Sequence, residues 1–135
     1  MEITYRVPAT ADAGRIAELH VACWREAYAG IVPVSILDGV DMAERIARWR
    51  GHLEGDGGAI FLAEAEGAAA GFIHAGRLAE PLVEGIEGHI FALYVLARHH
   101  RRGIGRRLIG LAAAQLLGQG GRALSVGVLT ANAPA

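Results

Sequence analysis

The sequence predicts a single α+β domain over residues 1–135, a mixed central sheet with flanking helices in the order β-α-α-β-β-β-α-β. Three observations predict it. Runs at 3–7, 59–64, 70–77, 89–96 and 123–129 are alternating or continuously apolar, as strands are. Runs at 12–29, 42–53 and 103–117 instead repeat apolar residues every three to four positions, as helices do. Glycine clusters such as Gly55, Gly57 and Gly58 punctuate the chain between them.

Taken in order, Ile3-Thr4-Tyr5-Arg6-Val7 alternates and is closed by Pro8. Thr10-Ala11-Asp12-Ala13 offers N-caps to a helix carrying Ile16, Leu19, Cys23 and Ala27 on one face, stopped at Gly30. Asp41 caps a second helix whose Met42, Ile46 and Trp49 share a face. Two strands flank Ala65-Glu66-Gly67-Ala68 as a hairpin. His89 to Leu96 is apolar enough for burial on both faces. The third helix places Ile104, Leu108 and Leu111 on one side, with Ile109, Ala112 and Leu116 beside them. The last strand–helix–strand unit predicts a parallel crossover.

Composition excludes several classes. Hydrophobic residues are 53% and charged residues 20%, which a disordered chain is not. The longest apolar run, Ile90 to Ala97, is far below the roughly 20 residues of a membrane-spanning helix. Met1-Glu2-Ile3-Thr4 has neither the basic start nor the apolar core of a signal peptide. Cys23 is the only cysteine, so no internal disulfide forms, and a small buried hydrophobe is its simplest role. A cytoplasmic protein without a metal is the expectation.

Net charge is −1, but it is divided unevenly. Residues 1–87 hold all fourteen acids and seven arginines, −7; residues 88–135 hold six arginines and no acid, +6. A basic end points to a phosphorylated or polyanionic partner. The charge sits on a strand–turn–helix: Leu93-Tyr94-Val95 runs into Arg98-His99-His100-Arg101-Arg102, then Gly103-Ile104-Gly105-Arg106-Arg107 opens the helix. The first helical turn has amides without intrahelical partners and the positive end of the macrodipole. Glycines let a ligand approach that backbone, and arginines add field, so the turn is an anion cradle. A solvated arginine face is the bland alternative. A dinucleotide fingerprint lacks its third glycine and later acid, and a lysine-bearing phosphate loop is excluded because the chain has no Lys. Nucleic-acid binding through Arg98–Arg107 lacks interleaved aromatics.

Leu93-Tyr94-Val95 followed by His100-Arg101-Arg102-Gly103-Ile104-Gly105 resembles the acyl-CoA-binding signature of the GNAT superfamily of N-acetyltransferases. Trp24 to Pro33 resembles the first helix and turn of a large bacterial subgroup, and Val128 to Ala135 resembles the fifth strand and the asparagine after it. The resemblance covers nearly the whole chain. It departs at His100, where relatives carry Arg or Gln, and after Asn132, where relatives continue into a helix with a Phe-Tyr pair and two more strands.

The resemblance implies transfer of an acetyl group from acetyl-CoA to a primary amine by direct attack in a ternary complex. Backbone groups of Leu93 and Val95 would pair with pantetheine. His100, Arg101, Arg102, Gly103, Ile104, Gly105 and Arg106 would hold the diphosphate, and Asn132 would bond the amide region. His89, or Glu87 two residues earlier, would take the proton from the ammonium. His74 reads as packed or pocket-lining rather than catalytic. Trp24 and Tyr28 would line the acceptor pocket, and Trp49 reads as core. The acceptor would be a small-molecule or peptide amine. With the sheet ending early, an unpaired edge predicts a homodimer. A domain that binds acyl-CoA without efficient turnover is the competing reading, and a nucleic-acid module is a third.

Overall fold

The computed structural model describes residues 2–31, 33, 35–36, 39–55, 58–77, 88–118 and 124–126. Its strands are β1 (Ile3–Arg6), β2 (Gly58–Ala65), β3 (Ala68–Arg77), β4 (Gly88–Val95) and β5 (Leu124–Val126). Its helices are α1 (Ala13–Tyr28), α2 (Met42–Glu54) and α3 (Ile104–Gly118), with short 3-10 turns at Thr10–Asp12 and Ala97–His99. The strands lie in spatial order β1-β2-β3-β4-β5, antiparallel up to β4 and parallel between β4 and β5. The predicted element order and the mixed sheet are those observed.

Local chemistry explains the boundaries. The Asp41 carboxylate accepts from the Glu44 amide at 3.2 Å and caps α2 as expected. The β2–β3 hairpin turns through Glu66 and Gly67 alone, both at positive φ (52° and 83°), the pattern of a two-residue turn matched to strand twist. Asp12 stands at the N-cap position of α1, within the expected segment, but its side chain caps no α1 amide. Both its carboxylate oxygens take the Arg6 guanidinium, at 2.8 and 2.9 Å, and Oδ2 also accepts from the Ala9 amide. An arginine on the adjacent strand outcompetes the helix amides for this carboxylate, because a bidentate charged pair is the stronger bond.

The sheet is covered on both faces. On one, Ile104, Leu108, Ala112 and Leu116 of α3 form a buried stripe against Ala63, Ile73 and Ile90. Ile109 was expected beside that stripe and is instead exposed, since a stripe repeating every four residues rotates it outward. On the other face, Ile16, Leu19 and Cys23 of α1 and Trp49 of α2 pack on Ile60, Leu62 and Phe72. Trp49 is thus core, and its face is shared with half-buried Met42 and Ile46 as predicted. Phe72 is fully buried, and truncating such a side chain to Ala costs about 3–5 kcal/mol.

β4 is not buried on both faces. Phe91 is 48% exposed and residues 92–95 are half-buried. The pairing with β3 shows why: His74 lies opposite Ala92 and Ala75 opposite Ile90, so Phe91 is an extra residue on β4. This bulge resets the alternation and turns β4 toward solvent at one point.

Candidate active site

The turn between β4 and α3 has the form of an anion cradle. Gly103 sits at φ +76°, and Arg101 also occupies the left-handed region, at φ 65°. The backbone bond closing the first turn of α3 runs from the Arg107 amide to the Gly103 carbonyl at 3.0 Å. Amides before Arg107 belong to the orphan set at a helix start. A Cβ placed on Gly103 or Gly105 would meet nothing within 4 Å beyond its chain neighbours and the helix's own backbone. The space over this backbone is therefore open. Arg101, Arg102, Arg106 and Arg107 are all exposed around it.

The turn is anchored at both ends. The His100 ring donates from Nε2 to the Val95 carbonyl at 2.8 Å, tying the turn to the end of β4. The Ala97 amide donates to Glu26 Oε1 at 2.8 Å, tying it to α1. His99 is buried, and burial together with Arg98 and Arg102 lowers its pKa, so it stays neutral inside the turn. Ile104 is fully buried under the helix start and offers its backbone rather than its side chain.

A second feature lies on the α1–α2 face of the sheet. Among the described residues, β4 pairs with β5 only from Gly88 to Ile90. The next two residues, Phe91 and Ala92, both face a cleft of about 490 Å³ lined also by His20, Arg45, Arg48, Trp49, His52 and His74. A hollow of about 230 Å³ continues from it along His52, His74 and Phe91 to Gly58, Gly76 and Arg77. The bulge is what lets one strand give two consecutive side chains to the same cavity.

The cleft wall is a stack of rings. His20 contacts Trp49, Phe72 and Tyr94 at centroid separations of 5.7, 5.3 and 5.1 Å. His74 contacts His52 at 4.6 Å and Phe91 at 5.1 Å. Burial pushes His20 down to about 4, with Arg45 contributing, and pushes His74 to about 4, with His52 and His20 contributing. Both are neutral near pH 7. The Arg45 guanidinium lies 5.8 Å over the Trp24 ring, and Arg48 pairs with Glu44 at 2.8 Å.

The structure brings together part of the predicted site. His89 is half-buried on β4, 5.2 Å from the Phe91 ring that borders the cleft. Leu93 and Val95 point their side chains into the α3-side core, their backbone lies opposite Ile73 and Gly71 of β3, and the Val95 carbonyl already accepts from His100. Trp24 and Tyr28 contact each other at 5.8 Å, and the Tyr28 and Tyr94 hydroxyls are 3.4 Å apart. These two border α1 near the end of β4 rather than the cleft wall described above. His74 lines the cleft, as the sequence suggested. Glu87 and Asn132 lie outside the described residues. Sequence reasoning missed His20, Arg45, His52 and Phe91. The one signal for His20 was a polar residue four positions from Ile16 and from Trp24 on the apolar face of α1.

A family model described as the acetyltransferase (GNAT) family matches residues 15–135. The chain belongs to the GNAT acetyltransferase family. This GNAT chain is 32% identical over 132 residues to YuaI of Bacillus subtilis (strain 168), described as an uncharacterized N-acetyltransferase, covering 96% of this chain and 73% of that protein. Its fold is that of solved GNAT-type enzymes. The PaiA N-acetyltransferase of Thermoplasma acidophilum, in complex with coenzyme A, superposes with a TM-score of 0.75 at 20% identity, over 98% of this chain and 83% of that one. The aminoglycoside N-acetyltransferase AAC(6')-Iy, also in complex with CoA, gives 0.78 at 20% identity, over 97% and 80%. The protein is an acetyl-CoA-dependent acetyltransferase, and the open turn at Gly103 and Gly105 fits a diphosphate-bearing co-substrate. Among the described residues no group of His, Cys, Asp and Glu side chains could hold a metal ion, and no helix is long and apolar enough to cross a membrane.

Proposed function

We propose that this GNAT acetyltransferase moves the acetyl group of acetyl-CoA directly to a primary amine bound in the cleft beside β4, with both substrates present at once. One observation carries the reading. β4 faces the cleft with Phe91 and Ala92, at its bulge, and feeds the glycine turn at its other end. A single strand thus connects an acceptor cleft to an anion cradle.

In this reading the backbone of Gly103, Ile104 and Gly105, with the guanidiniums of Arg101, Arg102 and Arg106, holds the diphosphate. His100 acts through Val95 to hold the turn in place. Leu93 and Val95 offer backbone groups to pantetheine, and Asn132 bonds the amide region. Trp24 and Tyr28 stand behind the acceptor cleft, Trp24 carrying Arg45 of the cleft wall and Tyr28 reaching Tyr94. His89 accepts the proton that an alkylammonium must lose before its nitrogen can attack, with Glu87 as the alternative base. The N–C bond forms and the C–S bond breaks. Coenzyme A leaves as a thiol, and the sum is one proton released per ammonium acetylated.

Direct attack is supported by the state of the only thiol. Cys23 is 3% exposed, and burial, with Glu26 adding, pushes it up to about 12, so it is no nucleophile near pH 7. The proposal extends to a cytoplasmic setting, in which that thiol stays free, and to a homodimer. Among the described residues β1 and β5 are the outermost strands of the sheet, and an outermost strand is where a second copy would pair. Light scattering at the protomer mass of 14.2 kDa alone would remove the dimer.

Initial-rate kinetics test the mechanism. Varying acetyl-CoA against an amine should give intersecting reciprocal plots, whereas parallel plots would mean an acetyl-enzyme. His89→Ala should lower kcat about 10²-fold or more while coenzyme A still binds. An unchanged kcat removes His89 as base.

A further inference from the structure

The proposed acceptor cleft has an uneven charge. Its described lining includes Arg45 and Arg48 and no carboxylate. The two cleft arginines differ. Arg48 is exposed and already shares its charge with Glu44. Arg45 is half-buried, lies over Trp24, and has no ion-pair partner among the described residues. Its field is felt at His20, which lines the cleft, and at the Tyr94 hydroxyl behind it. The imidazoles of His20 and His74 are neutral near pH 7 and do not offset it.

A wall of this kind repels a polycation. It also favours the uncharged form of an amine held near it, which is the form that attacks. A guanidinium without an acid, stacked on an indole and facing a cavity, is suited to a planar or tetrahedral oxyanion.

We infer that the acceptor is an amine that also carries an anionic group, a carboxylate or a phosphate, held by Arg45, and is not a polyamine or an aminoglycoside-like polycation. This rests on the proposed use of the cleft for the acceptor. The relation to AAC(6')-Iy is therefore one of fold, with the acceptor chemistry inverted.

The test uses thiol release from acetyl-CoA with three amines: glycylglutamate, phosphoethanolamine and spermidine. Wild type should use at least one anionic amine with kcat/KM about tenfold or more above spermidine. Arg45→Glu should lower that value about tenfold and narrow or invert the preference, and Arg45→Gln should fall between. Comparing glycylglutamate with phosphoethanolamine separates the carboxylate source from the phosphate source. Spermidine as the best substrate, a preference unmoved by Arg45→Glu, or no turnover of any of the three overturns the inference. Calorimetry with coenzyme A is run on the same samples. Lost coenzyme A binding in the wild type would strike the cradle reading, whereas retained binding with the wrong preference strikes only the acceptor.

Discussion

The imidazole rings of His52 and His74 stand 4.6 Å apart, joining α2 to β3 across the floor of the cleft. A proton on His74 must overcome burial and the rings of His52 and His20 beside it, and one on His20 must overcome burial and Arg45.

Stability should therefore fall between pH 6.5 and 4. His20 and His74 have a folded pKa of about 4, against about 6.5 when unfolded. In that window the unfolded chain binds protons that the folded one refuses, so unfolding gains as pH drops and the effect levels off below pH 4. Urea midpoints measured from pH 7.5 to 4 should decline, and His74→Gln should make the decline shallower. A flat profile would contradict the assignment.

The Arg6–Asp12 and Glu64 network acts in a lower window. Asp12 is held at about 2, chiefly by its bond to Arg6, so its contribution is present above its usual value near 3.8 and lost as pH falls toward 2. Glu64 is 9% exposed, bonds Arg6 at 2.7 Å and also pairs with Arg15. Glu64→Ala should cost about 2–3 kcal/mol by chemical denaturation. Arg15→Ala, on the solvent side of the same carboxylate, should cost less than about 1 kcal/mol.

Arg101 is held at φ 65°, a conformation that costs a side-chain-bearing residue about 1–2 kcal/mol. Arg101→Gly should raise stability by roughly 0.5–1 kcal/mol after the added freedom of the unfolded chain is subtracted. It should also weaken coenzyme A binding by up to about tenfold through the lost guanidinium. A lowered melting temperature would show that the Arg101 side chain does more for the turn than its backbone costs.

Much of this architecture was written locally. Asp41 caps α2, Gly30 follows α1, and the glycines at 103 and 105 open α3, each through an interaction spanning a few residues. That is why the element order and the glycine turn into α3 were legible. The cleft was not, because His20, His52 and His74 come from three separate elements and meet only when α1 and α2 fold onto the sheet. The bulge at Phe91 has no local mark either. A run from His89 to Leu96 looks uniformly apolar, and only the pairing with β3 reveals the extra residue. The bonding of the Asp12 side chain was hidden for a related reason: Asp12 stands at the N-cap position, but its strongest partner, Arg6, sits across a turn rather than within the helix.

The most direct measurement is calorimetry of coenzyme A binding to wild type and to Gly105→Glu. A Cβ at position 105 meets nothing within 4 Å outside its own turn of helix, so the variant should fold, which its melting temperature checks. The account predicts that wild type binds and that Gly105→Glu, placing a carboxylate where the diphosphate would lie, loses at least about a hundredfold in affinity. Equal affinities in two equally folded proteins would contradict it.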